Sequence, residues 1–167
     1  MAARQPLTAV LVALLLLAAG CVGFSPTHTP RVSELASGGD DLFRASQRLV
    51  LEGLEADEHG DRPRARSRYE RALQIDASNP WVYLALARHY VEAGESSRAL
   101  SHLDRAEALL ESQETESPGA KIHCDGLRGA ALELEGDHAE ARALLDSAAR
   151  SAPGVWGDGE LSASELR

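Results

Sequence analysis

The sequence predicts an all-α fold, a solenoid of about three stacked helical hairpins, and two observations support this. The first is a repeat, in which a glycine precedes an acidic residue and an alanine follows five residues after each glycine: Gly60-Asp61, Gly94-Glu95 and Gly136-Asp137. Its spacings of 34 and 42 residues are typical of hairpins that bury their apolar faces by stacking. The second is that no stretch of the sequence shows the alternating apolar pattern of a β-strand.

Residues 1–20 are predicted to be an export signal that is separate from the fold. Arg4 supplies a positive charge, and an apolar run of 13 residues extends from Leu7 to Ala19. A helix that spans a bilayer needs about 20 apolar residues. The run is therefore typical of a cleaved leader peptide.

The end of this leader, Leu17-Ala18-Ala19-Gly20-Cys21, resembles the lipobox of bacterial lipoproteins. The resemblance implies that signal peptidase II cuts before Cys21 and that Cys21 carries diacylglycerol and an amide-linked acyl chain, with palmitate among the acyl groups. Each buried methylene adds about 0.8 kcal/mol to membrane attachment. Val22, where inner-membrane lipoproteins carry Asp, implies an outer-membrane lipoprotein that faces the periplasm. The alternative is an ordinary secreted protein with a stray cysteine.

Residues 21–39 are predicted to be the lipidated N-terminus and a flexible linker, because proline, glycine and small polar residues leave the segment little to bury. The repeat domain is expected at 40–155. A C-terminal tail is expected at 156–167.

The first two helices are delimited by capping residues. Apolar residues at helical spacing begin after Asp40, and the first helix is expected to end before Gly60, whose lack of a side chain suits a left-handed helix terminus. Asp61 then caps a second helix from about Arg62 to Ile75.

Asn79-Pro80 predicts the cap and first residue of a third helix that ends near Ala93, and a fourth helix is expected after Glu95. The eight extra residues between the second and third repeats predict that helix four ends about a turn late and helix five begins about a turn early, at Ser117-Pro118. The alternative is a loose acidic loop over 112–117. Helix five is expected to end at Glu135 and helix six to run from Asp137 to about Ser151.

The repeat resembles the tetratricopeptide repeat, with copies at 46–79, 80–113 and about 122–155. This resemblance implies a right-handed α-solenoid. The motif's first large residue falls on Leu49, Tyr83 and Asp125, and its first small residue falls on Gly53, Ala87 and Gly129. The next packing residue falls on Ala56, Tyr90 and Leu132. The second-helix residues are Ala65-Tyr69-Ala72, Ala99-Leu103-Ala106 and Ala141-Leu145-Ala148. The motif's terminal proline is matched by Pro153 alone.

The resemblance also implies a concave groove lined by the first helix of each hairpin, in which a peptide or helix of a protein partner binds. The positions carried over from the family are Gln47, Val50, Leu54, Asp57, Trp81, Leu84, Arg88, Val91, His123, Gly126, Ala130 and Glu133. This set favours an apolar partner segment, with Arg88 pairing an acid or a chain terminus. The alternative for Trp81 is that it packs against the preceding hairpin.

Trp156 is the apolar anchor of the glycine-rich tail, beside a possible short turn at Ser162 to Leu166. Either it folds back on helix six as a makeshift cap, or it forms an exposed hook for a partner.

The formal net charge of −9 argues against nucleic acid as a partner. The basic run Arg62, Arg64, Arg66 and Arg68 is interpreted as a solvated helix face; the alternative is an anion site for acidic proteins or lipid A phosphates.

No catalytic, metal or cofactor site is expected. The six histidines have no i,i+4 pair for a metal. Cys124 with His138 as base is the single candidate for a thiol-dependent or other hydrolytic enzyme, against the reading of Cys124 as a small buried apolar residue.

The functional prediction is therefore a membrane-anchored scaffold lipoprotein of the cell envelope that binds a protein partner. Lipoproteins of this kind assist pilus or secretin assembly, outer-membrane protein insertion or peptidoglycan enzymes, and a pilotin-like role is weakly favoured. The alternatives are the thiol enzyme and a self-associating structural lipoprotein. The oligomeric state stays open.

Overall fold

The computed structural model describes residues 41–113, 118–159, 161 and 165–167. The predicted signal peptide, Cys21 and the linker lie outside these residues, as do positions 162–164 of the possible C-terminal turn. Within the described ranges the chain is helical without strands, and its helices are α1 (Asp41–Glu58), α2 (Arg62–Ile75), α3 (Pro80–Glu92), α4 (Ser96–Ser112), α5 (Pro118–Glu135), α6 (His138–Ser151) and α7 (Pro153–Trp156).

The helices form three hairpins, α1/α2, α3/α4 and α5/α6, which stack in chain order. Each first helix contacts the next first helix, so that α1, α3 and α5 make one inner layer, and α3 lies at its centre. The predicted all-α solenoid of three tetratricopeptide-type hairpins is confirmed.

The three repeat glycines end the first helix of each hairpin. Gly60, Gly94 and Gly136 have φ of 74°, 74° and 88°, which is the left-handed region that favours glycine. In each turn the acidic residue that follows the glycine donates its backbone N–H to a carbonyl five residues back, with Asp61 to Ala56 at 2.9 Å as the first example. These are Schellman turns, and they fix the same reversal three times.

The helix starts follow the predicted caps. Asp61 accepts a hydrogen bond from the Arg64 N–H at 3.2 Å, and Asn79 accepts one from the Trp81 N–H at 3.0 Å. Pro80 and Pro118 are the first residues of α3 and α5. Glu95 precedes α4 without a side-chain cap.

The extra residues between repeats two and three lengthen both flanking helices, as predicted. By the 34-residue period α4 would end at Leu109, but it continues to Ser112. By the 42-residue offset α5 would begin at Ile122, but it begins at Pro118. Residues 114–117 lie outside the described part of the chain.

Small residues bring the two helices of a hairpin together. A Cβ atom on Gly53 would lie 2.3 Å from the Tyr69 ring, and one on Gly129 would lie 2.8 Å from Leu145 Cγ. Gly53 and Gly129, like Tyr69 and Leu145, are equivalent repeat positions, so the third repeat packs as the first does. Asp125, which departs from the motif, is half-buried and pairs with Lys121 at 2.9 Å.

Among the described helices, none combines the length and the apolar character that a membrane span requires.

Candidate functional site

The inner layer carries the residues that the sequence predicted for a partner groove. Val50 and Leu54 on α1, Leu84 on α3 and His123 on α5 are fully buried, and Trp81 and Val91 are nearly so. The Trp81 ring meets the His123 ring edge to face, with centroids 5.8 Å apart. Adjacent helices therefore bring their predicted groove residues together in one row.

The C-terminus of the chain lies against this row, and we call residues 153–167 the C-terminal segment, of which the structure describes 153–159, 161 and 165–167. Its Trp156 is buried and lies 6.2 Å from His123, measured between ring centroids. A Cβ atom on Gly126 would lie 2.6 Å from the same indole. Because His123 and Gly126 are predicted groove positions of α5, Trp156 folds back into the groove itself.

The end of the segment reaches the other end of the stack. Leu166 is fully buried in the same apolar cluster as Val50 and Leu54, and Glu165 is buried beside it in sequence. Arg167 forms an ion pair with Glu58 at the end of α1. The described parts of the C-terminal segment thus contact α5 through Trp156 and α1 through Arg167. Sequence reasoning placed Leu166 in a possible short turn but did not predict its burial, for which the signal was one of two leucines in a polar tail.

Arg88, which was predicted to pair with a partner's acid, pairs with acids of its own chain. Its guanidinium donates to Asp57 Oδ2 at 3.3 Å and to Glu92 on the next turn. Asp57 also accepts from the Tyr69 hydroxyl at 2.9 Å, and its carboxylate lies 2.9 Å from His89 Nδ1. This buried network joins α1, α2 and α3, and it occupies Arg88 in the state described here.

Tyr69 shows how closed this network is. Burial, followed by the negative charge of Asp57, raises the pKa of the Tyr69 hydroxyl above its ordinary range. The tyrosine therefore stays neutral and acts as a donor. The network holds three helices together with its charges paired. It leaves no open position for a substrate.

Gln47 is a polar residue of the row whose hydrogen-bonding groups are unusual. It is fully buried on α1, and in the described part of the chain neither atom of its amide has a hydrogen-bond partner. The indole N–H of Trp156 is in the same condition. Buried polar groups are nearly always paired in native proteins, so these two groups are exceptions that a bound partner could satisfy.

The basic run on α2 is engaged by neighbouring groups. Arg62 donates to the Glu92 carbonyl at 2.6 Å, Arg66 pairs with Glu70 at 2.8 Å, and Arg68 pairs with Glu52 at 3.1 Å. These contacts, all at partly exposed side chains, favour the interpretation as a solvated helix face over an anion site.

Cys124 is poorly suited to nucleophilic chemistry. Burial, with smaller effects from Glu107 and Asp125, raises the pKa of its thiol to about 12, so that the thiolate is scarce at neutral pH. His138, the candidate base, is exposed and lies 2.8 Å from Glu133. The residues described include no group of three or more His, Cys, Asp or Glu side chains able to hold a metal ion.

Comparison with known proteins adds two findings. A family model described as a tetratricopeptide repeat matches residues 58–114, which extend from the last residue of α1 to just past the end of α4. A stretch of 66 residues is 38% identical to part of cellulose synthase operon protein C of Pseudomonas fluorescens (strain SBW25). That stretch is 40% of this chain and 5% of the relative, so the chain spans a small part of the relative's length. No solved structure matches the chain.

Proposed function

This chain carries a tetratricopeptide repeat domain, and from that premise we propose that it is a lipid-anchored scaffold of the cell envelope that holds a protein partner in its inner groove. Tetratricopeptide repeats support protein–protein interaction as the general role. The observation that carries the proposal is the inner row of α1, α3 and α5, whose Val50, Leu54, Trp81 and Leu84 are apolar and belong to one buried cluster. An apolar row of this kind, when uncovered, suits an apolar segment of another protein.

The envelope location rests on the N-terminal sequence. A short apolar leader that ends in Ala-Gly-Cys favours acylation at Cys21 and attachment to a membrane surface. With Val22 next to the lipid, we place the protein in the outer membrane facing the periplasm. There it would assist the assembly of an envelope complex, with a pilotin-like role as the most specific candidate.

The anchor is tested by metabolic labelling with palmitate and by membrane fractionation. The native chain should incorporate the label and sediment with membranes, whereas Cys21→Ser should do neither. Cys124→Ser is the matched control, since it removes the other cysteine and should behave as native. A native chain without label, or a labelled Cys21→Ser variant, would contradict the lipoprotein proposal.

The groove is tested by affinity capture from detergent-solubilised membranes. Trp81→Leu, in the inner row of α3, should lower the yield of specific partner proteins at least tenfold. Tyr83→Leu is the matched control, because Tyr83 lies two residues further on the same helix and is half-buried outside the row. Circular dichroism should show that both variants remain helical. Equal recovery of the same proteins by the native chain and Trp81→Leu would refute the groove assignment.

A further inference from the structure

We propose that the C-terminal segment is an intramolecular ligand of the inner groove, and that a protein partner binds by displacing it. The inference rests on the scaffold function proposed above and concerns how access to that groove is controlled. Its basis is that the groove positions of the repeat domain contact residues of their own chain's C-terminus.

The first anchor of the segment is Trp156. The indole lies over Gly126 and beside His123, so it occupies the α5 end of the row. The absence of a side chain at Gly126 creates the space, because a Cβ atom there would overlap the ring. Tryptophan side chains in well-packed, desolvated pockets are common binding hot spots.

The second anchor lies at the opposite end. Leu166 is fully buried in the hydrophobic core, and the next residue, Arg167, pairs with Glu58 at the C-terminus of α1. Peptide segments commonly bind a groove through a few apolar side chains that enter pockets, and Leu166 is such a side chain. The two anchors are joined by the polar, glycine-containing stretch that begins with Gly157, Asp158 and Gly159.

The fit is incomplete in a way that favours exchange. The amide of Gln47 in the row and the indole N–H of Trp156 in the segment have no hydrogen-bond partners in the described structure. The Arg167–Glu58 pair is partly exposed and therefore weak. A partner segment of the same length, with similar apolar anchors and a hydrogen bond to Gln47, would bind the groove with higher affinity than the C-terminal segment.

The tether compensates for this weak fit. A ligand joined to its site by a short linker has an effective concentration on the order of 1 mM. If the segment alone binds with a dissociation constant of about 100 µM, its presence raises the apparent dissociation constant of a competitor about tenfold. The segment then prevents weak ligands from binding the groove, whereas a ligand with higher affinity displaces it.

The experiment measures binding of a fluorescent peptide with the sequence of residues 153–167 to the purified full-length chain in detergent, by fluorescence anisotropy. The native chain should bind the peptide weakly, because its own segment is in place. Leu166→Asp should bind it at least tenfold more tightly, since a carboxylate cannot stay in the apolar cluster. Leu134→Asp is the matched control, as Leu134 is exposed on α5, and it should behave as native.

The site of binding is verified by adding Gly126→Ala to Leu166→Asp. The new Cβ atom should overlap the indole of the peptide and return binding to the native level or weaker. Equal peptide binding with and without Gly126→Ala would show that the peptide does not use the groove and would overturn the proposal. So would a folded Leu166→Asp chain that binds no more tightly than the native chain.

A second variant covers the case in which Leu166→Asp loses its helical circular dichroism. Arg167→Glu alters the partly exposed ion pair and should tighten peptide binding severalfold, while Glu58→Arg combined with Arg167→Glu should restore the native value. An unfolded Leu166→Asp together with an unchanged Arg167→Glu would mean that the segment is a structural part of the core. Because this assay uses no cellular partner, its failure leaves the capture result on the scaffold function intact, and the converse also holds.

Discussion

At the scale of single residues, the most constrained side chain is Asp57. Its carboxylate is fully buried at the junction of three helices and accepts hydrogen bonds from Tyr69 and Arg88, with His89 Nδ1 at 2.9 Å. A buried charge is tolerated because each oxygen has partners, and removing one member leaves the others uncompensated. The groove arginine is thus held by the same acid that the family pattern placed beside it in the row.

We expect Asp57→Asn to lower the free energy of unfolding by about 3 kcal/mol, because the Arg88 charge loses its main buried counter-charge. Urea unfolding followed by circular dichroism measures this. Asp104→Asn is the control: Asp104 pairs with Arg128 at an exposed position, and its loss should cost less than about 1 kcal/mol. Equal effects of the two substitutions would show that burial does not strengthen the Asp57 network.

Cys124 should be chemically inert in the folded protein. With its pKa raised to about 12, against about 8.5 for a free cysteine, its thiolate at pH 8 is roughly a thousandfold scarcer. Iodoacetamide should therefore modify Cys124 at least a hundredfold more slowly in buffer than in concentrated urea, as followed by mass spectrometry on a Cys21→Ser chain. Rapid modification of the folded chain would contradict this prediction and would support the alternative function as a thiol enzyme.

At the scale of helices, close approach of hairpin partners depends on residues without side chains. Gly53 faces Tyr69, and the ring has little freedom to move because Tyr69 is fully buried and its hydroxyl is bonded to Asp57. The resemblance to the tetratricopeptide repeat identifies this position as the first small residue of the motif. The distance that makes glycine necessary is set by the packing of α1 against α2.

Gly53→Ala should destabilise the protein by about 1–3 kcal/mol, although alanine is the better helix former by about 1 kcal/mol. The added Cβ atom would lie 2.3 Å from the Tyr69 ring, and this overlap makes the net change in stability unfavourable. Gly154→Ala, where nothing lies within 4 Å, is the control and should be near neutral. Thermal melts suffice, and a raised melting temperature for Gly53→Ala would contradict the packing described.

The α3/α4 seam should respond to pH through His102. Its ring stacks on Tyr90 with centroids 5.3 Å apart, and burial, then the charge of Arg98, lowers the pKa of His102 below about 6.5. The folded protein therefore holds this histidine neutral, and its full stabilising contribution is present above pH 6.5 and is lost as pH falls towards the folded-state pKa.

His102→Phe keeps a ring against Tyr90 without a titrating group. The stability of the native chain relative to this variant should accordingly decrease between pH 7 and pH 5, as measured by urea unfolding at each pH. If the difference in unfolding free energy between the two chains stays constant over this pH range, the stacked position does not shift the pKa of His102.

At the scale of the whole molecule, burial is distributed unequally along the stack. Nearly every residue of α3 is buried, whereas α6 buries Ala141 and Ala148 among its described residues. A central hairpin has neighbours on both sides, and a terminal one has a neighbour on one side and the short α7 on the other. In such a quasi-linear array, stability is local and declines towards the ends.

Hydrogen exchange should follow this gradient. The amides of α3 should open only with global unfolding, while those of α6 should exchange at least a hundredfold faster through local opening. Mass spectrometry of peptic fragments resolves the two helices. Uniform protection from α1 to α6 would indicate a single cooperative unit instead of a stack of weakly coupled hairpins.

Much of the fold could be predicted because its determinants are local. The glycine turns, the Asp61 and Asn79 caps and the prolines that begin α3 and α5 all act within about six residues, so spacing alone indicates them. The predicted extension of α4 and α5 was also correct, since eight residues amount to about two helical turns.

The sequence by itself determined the repeating hairpin, because its turns and caps are local, and the resemblance to the tetratricopeptide repeat implied which residues line the inner face. The tertiary structure alone decided what those residues touch. Arg88 pairs with Asp57 on another helix, Trp156 lies in the space above Gly126, and Arg167 meets Glu58 from 109 positions away. Such contacts depend on the shape formed when all three hairpins are stacked, and no local pattern in the chain encodes that shape.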